Sequence, residues 1–190
     1  MVNLQLGEAY RQMGRYEEQR EAFQKVVQLN PQAVDARLGE AASLSALGRL
    51  DEALAIYGNY LDVPNVARQA VQLMIVRNLQ RAPEQRDWQA VERILNALTQ
   101  ANPESGDVAL LRAETLQAQG RTPEARETLE QARKFETAPA RISAALARLA
   151  AQSDDFAGAQ EVLATAEQQD LNLLPVAPTH EPVTILSSTG

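Results

Sequence analysis

The chain has 190 residues, 45% of them hydrophobic and only 4% aromatic, and a formal net charge of −7. That balance fits an all-helical chain built on alanine and leucine, and it disfavours a nucleic-acid backbone as partner. Cysteine is absent and the one histidine is His180, so thiol or imidazole catalysis and Cys/His metal sites have no residues to build on.

Other function classes fail on pattern. The carboxylates lack calcium-loop spacing, the glycines form no phosphate-binding loop, and no cofactor is expected. No apolar run is long enough to span a membrane, so membrane insertion is not expected, and no signal-peptide pattern opens the chain. The lack of cysteine leaves the compartment open between cytosol and bacterial envelope.

In chain order, residues 1–33 carry Leu6-Gly7, Tyr10, Gly14, Tyr16, Phe23 and Pro31. Residues 34–65 repeat the pattern, with Gly48 34 residues after Gly14 and Tyr57 34 after Phe23, joined by Leu50, Ala53 and Pro64. Residues 66–104 slip: Tyr57 to Leu95 is 38 residues, and Gly48 to Gly120 and Ala53 to Ala125 are both 72, so four residues enter once. Pro83 stops a helix and disfavours helical geometry at Ala82, which predicts a longer helix or a longer loop around residues 81–87. Residues 105–138 return to register with Ala113, Gly120, Ala125, Leu129 and Ala132, and residues 139–170 keep Phe156, Ala159, Leu163 and Ala166. In that last copy Asp154 stands where the turn glycine would be. Asn30-Pro31 and Asn102-Pro103 are expected to cap the helices that open new copies, and Thr122-Pro123-Glu124 to open another helix. Ala53, Ala125 and Ala159 are small enough for two helices to cross closely.

In combination these residues and the 34-residue period resemble the tetratricopeptide repeat, from which Gln19 departs by filling a position where that family prefers a small residue. The resemblance implies an all-α, right-handed solenoid of about five helix-turn-helix repeats over residues 1–170, because one such unit cannot bury its apolar face alone. A proline-rich, apolar and non-helical tail is expected over 171–190, with Pro175, Pro178 and Pro182 forbidding a helix. It is expected to cap the last hairpin rather than to add to a strand or groove elsewhere. At the other end the first helix starts with no cap. This is expected of a fragment of a larger protein, or of an end covered by another molecule, and it would allow end-to-end self-association.

In this family the first helices of successive hairpins line a concave face where a protein or peptide segment lies. Carried onto this register, three columns face inward. The first is Leu4, Leu38, Gln72, Leu110 and Ala144. Glu8, Ala42, Val76, Glu114 and Arg148 form the second, and Arg11, Ser45, Leu79, Gln117 and Ala151 the third. The candidate partner-binding residues are Glu8, Arg11, Asp35, Leu38, Ala42, Ser45, Gln72, Val76, Leu79, Asp107, Leu110, Glu114, Gln117 and Arg148. They give an apolar middle with acidic edges, suited to a segment with apolar anchors and some basic residues. At each position the plainer alternative is packing between neighbouring helices. The third copy is apolar all round through Val71, Leu73, Met74, Ile75, Val76 and Leu79, which predicts burial on more than one side.

Family members that hold the carboxyl terminus of heat-shock chaperones use an inward clamp of Lys, Asn and Arg. Leu4, Glu8, Leu38 and Ala42 occupy the matching positions and cannot pair with a carboxylate. The arginines from Arg77 to Arg148 interleave with acids as on solvated helix faces. The expectation is a non-catalytic protein-interaction scaffold. The alternative is an architectural spacer from a larger protein, with an empty groove.

Overall fold

The computed structural model describes residues 2–134 and 140–173. The chain divides into two compact units, Met1–Ala138 and Pro139–Gly190. The first holds α1 (Val2–Gln12), α2 (Tyr16–Leu29), α3 (Val34–Ala46), α4 (Leu50–Tyr57), α5 (Pro64–Gln80), α6 (Trp88–Ala101), α7 (Gly106–Ala118) and α8 (Thr122–Ala132). The second holds α9 (Ala140–Gln152) and α10 (Phe156–Leu173). No strand occurs among the described residues. The fold is an all-α helical repeat of the solenoid class.

Each turn within a hairpin is closed by a residue in left-handed geometry: Gly14 (φ 69°), Gly48 (φ 76°), Gly120 (φ 79°) and Asp154 (φ 59°). The next amide then reaches back to a carbonyl of the helix just ended, as in Arg15 to Tyr10 (2.9 Å), Arg49 to Leu44 (2.9 Å), Arg121 to Leu116 (2.9 Å) and Asp155 to Ala150 (3.0 Å). This is the helix-ending motif that glycine favours because it has no Cβ. Asp154 keeps the geometry without that freedom.

Between α5 and α6 the turn is replaced by residues 81–87, which include a 3-10 turn over Pro83–Gln85. Four residues enter here. Asn78, fully buried, takes the place in the register held by Leu44 and Leu116. Its Nδ2 donates to the Asp87 carbonyl and its Oδ1 accepts from the Asp87 amide, both at 3.1 Å. Asp87 in turn caps α6 by accepting from the Ala90 amide at 3.0 Å. A side chain thus does for the long loop what the backbone does in the short turns. The helix is longer as well as the loop, since α5 has 17 residues where α3 has 13. Its extra turn begins at Pro64, while α4 stops at Tyr57 and passes into a 3-10 turn over Gly58–Tyr60.

Packing in the first unit repeats one arrangement, in which a large residue of a second helix wedges between the first helix of its own hairpin and that of the next. The Phe23 ring fills the space above Gly7 and Gly39, where an added Cβ would meet the ring at 2.8 Å and 2.5 Å. Tyr57 occupies the same position in a core with Ala41 and Leu73. Leu95 does so with Ile75 and Leu111. α5 joins both cores, through Val66, Ala70 and Leu73 on one side and Ala67, Val71 and Ile75 on the other. Ala53 and Ala125 are fully buried at the helix crossings, and Gln19 is equally buried at the corresponding place in α2. In the second unit Ala147, Ala150 and Ala159 form the core of a single hairpin.

Two expectations are corrected. Asn30 and Asn102 do not open helices; they end α2 and α6 with extended φ values of −140° and −148°. Asn30 Oδ1 accepts from the Gln32 amide at 3.1 Å, so the short side chain turns the chain locally and Pro31 lies in the connection. α7 is capped three residues later by Ser105, which accepts from the Val108 amide at 3.3 Å. The second correction concerns 171–173, expected to be tail, which continue α10. The first breaker is Pro175, so nothing stops the helix earlier. Residues 174–190, with the expected cap and His180, lie outside the described residues.

The turns make opposite predictions. Gly48→Ala is expected to destabilise the first unit by about 1 kcal/mol, and Asp154→Gly to stabilise the α9–α10 hairpin by up to about 1 kcal/mol. Amide hydrogen exchange, read helix by helix, checks both.

Candidate functional site

The faces of α3, α5 and α7 that do not enter a core form a grid. Its rows follow the register: Asp35, Gln69 and Asp107; Leu38, Gln72 and Leu110; Ala42, Val76 and Glu114; Ser45, Leu79 and Gln117. Every member is exposed or half-buried, whereas the intervening Ala41, Ile75 and Ala113 are buried. Helical geometry brings residues three and four apart onto one face. Leu38 also packs against the core it borders. Val76 and Leu79 are the grid's most exposed large apolar side chains, at 45% and 51%. One third of α5 therefore stays open although its other two sides are buried.

α1 contributes Glu8 and Arg11, which bind each other: Arg11 donates to both Glu8 carboxylate oxygens, at 2.6 and 2.9 Å. The guanidinium holds the Glu8 carboxyl below the usual carboxylate range. Arg148 is exposed on α9 and belongs to the second unit.

On the opposite side of α7 a groove of about 780 Å³ runs between α6 and α8. Arg112 crosses its floor, donating to Glu92 at 3.0 Å, to Asn96 at 2.9 Å and to Thr99 at 3.3 Å. Trp88 lines one wall and Glu127 and Thr128 the other. This groove escaped the sequence reading. A signal for it does exist, because Leu47, Ala55 and Ile56 of the second hairpin become Gln119, Glu127 and Thr128 here.

Arg93 and Arg121 line the same groove as Arg112. Arg77 and Arg81 both pair with Asp51, at 3.3 and 3.0 Å, Arg121 pairs with Glu124, and Arg126 with Glu130 at 3.5 Å. Among the described residues no group of His, Cys, Asp and Glu could hold a metal ion, and no helix is long and apolar enough to cross a membrane.

Residues 2–33, 34–58 and 84–149 each match a tetratricopeptide repeat family model, and together these cover more than half of the chain. The chain belongs to the tetratricopeptide repeat family. Solved structures agree on the fold. TTC0263, a tetratricopeptide protein of Thermus thermophilus, is 23% identical with a TM-score of 0.65, over 90% of this chain and 93% of that one. MamA from Desulfovibrio magneticus RS-1 is 13% identical with a TM-score of 0.62, over 90% and 95%. A tetratricopeptide repeat protein from Parabacteroides merdae ATCC 43184 is 16% identical with a TM-score of 0.68, over 88% and 64%. No curated protein sequence matches the chain. Membership makes the chain a protein-interaction scaffold in general terms, in a family whose members are generally non-catalytic.

Arg112 joins α7 to α6 by charged hydrogen bonds, and Arg112→Ala would leave their acceptors unpaired. The expected loss is about 1–2 kcal/mol, with faster amide exchange in α6 than in α4. Equal exchange in both helices would contradict that role.

Proposed function

We propose that the chain is a non-catalytic scaffold that binds a protein or peptide segment on the face formed by α1, α3, α5 and α7. The observation that carries this reading is the exposure of Val76 and Leu79, one turn apart on the central helix of that face. Exposed apolar side chains within a rim of polar and acidic ones are what an interaction surface presents before it is occupied. Leu38 and Leu110, half-buried on the neighbouring helices, extend the apolar strip. Glu8 and Arg11 neutralise each other and would contribute orientation rather than affinity. Arg77, Arg81, Arg112, Arg121 and Arg126 are each paired to an acid, which disfavours nucleic acid as the occupant.

The spacer reading draws on a different observation, that Leu38 already packs against the core behind it. In that reading the repeats set distance between other domains and the face stays empty. End-to-end association through the first hairpin belongs to the same proposal, as a way for copies to continue the stack.

A Val76→Glu, Leu79→Glu variant separates the two readings. Both side chains are half exposed, so the variant is expected to keep its helical circular dichroism. Binding of an identified partner should weaken by about 2 kcal/mol or more, the range for loss of central interface anchors. Unchanged affinity in a folded variant would favour the spacer.

A further inference from the structure

Resting on the proposed use of this face, we infer that its occupant is a basic amphipathic segment of a protein, with aliphatic anchors on Val76 and Leu79 and Lys or Arg side chains on either flank. Charge complementarity selects such a segment. The grid over α3, α5 and α7 carries Asp35, Asp107 and Glu114 and no lysine or arginine. Asp35 and Glu114 stand on the two helices that flank α5, so the open apolar pair lies between them. Neither acid makes a side-chain hydrogen bond or ion pair among the described residues. On α1 the guanidinium of Arg11 is held by Glu8, at 2.6 and 2.9 Å, and that of Arg68, in the first turns of α5, is turned to Asn65 Oδ1 at 2.6 Å.

Distance decides that the acids and the anchors act on one segment. Asp35 lies seven positions before Ala42 in the row of Val76, which is two helical turns or about 10 Å. That is also about one Debye length at 0.1 M salt, so the acids attract a cation bound on the apolar strip at low salt and progressively less as salt rises. An acidic segment would meet like charge on both flanks of its anchors. A neutral one would gain nothing from the acids.

The test is selection of a random short-peptide library against the whole chain, followed by titration of the enriched peptides. Aliphatic peptides rich in Lys and Arg are expected, with affinity that falls as salt rises. An Asp35→Asn, Glu114→Gln variant should bind them about tenfold more weakly and with a flatter salt dependence. A Val76→Ser, Leu79→Ser variant, neutral and checked by circular dichroism, should lose them. Enrichment of neutral or acidic peptides that still depend on Val76 and Leu79 overturns the basic assignment and leaves the proposed face intact. Enriched peptides that bind the serine variant as well as the parent overturn the face itself, and a selection that enriches nothing overturns the assignment.

Discussion

The first unit depends on one contact made again and again, a large side chain of a second helix pressed between two first helices. Between the first and third copies volume is traded across the contact: Phe23, an aromatic wedge, sits between two glycines, and Leu95, a smaller wedge, sits with an isoleucine and a leucine. Tyr57, no smaller than Phe23, sits with an alanine and a leucine. Interiors are packed too tightly to absorb an added methyl group freely, so a gain on one side of the contact has to be matched by a loss on the other. The stack continues from hairpin to hairpin because each wedge touches the next first helix as well as its own.

This contact also decides what is left for a partner. It consumes two sides of each first helix and leaves the third to solvent, which is why Val76 and Leu79 are open on a helix otherwise surrounded by core. Past the inserted loop the register returns: Asn78 fastens Asp87 from a buried position, and α6 and α7 resume 72 residues after α2 and α3. Across α7 the packing is of another kind, with the guanidinium of Arg112 spanning a polar groove to reach α6.

Much of this was legible in the spacing of a few residues. The 34-residue period and its one slip located the turns, because a left-handed residue is needed at each and glycine supplies it cheaply. Even Asp154 was placed correctly at a turn. Legibility failed where one residue type has two local uses. Asparagine before proline ended helices instead of opening them, and Pro31 lies in a connection whereas Pro64 is the first residue of a helix. The exchange of a turn between α4 and α5 was hidden for the same reason. The grid positions came out exposed or half-buried, as helical periodicity requires, but periodicity could not tell Leu38, which leans on the core, from Leu79, which does not. The α6–α8 groove depends on how far two helices stand apart, a quantity no single helix encodes.

The most direct test of volume matching at the wedge is a double-mutant cycle between Phe23 and Gly39. Unfolding of the parent, Gly39→Ala, Phe23→Leu and the double variant would be followed by hydrogen exchange in α1 to α3. Gly39→Ala is expected to cost about 1–3 kcal/mol in the parent and far less in the Phe23→Leu background, giving a coupling of about 1 kcal/mol or more. Equal costs in both backgrounds would contradict the account, since the ring and the missing side chain would then not be fitted to one another.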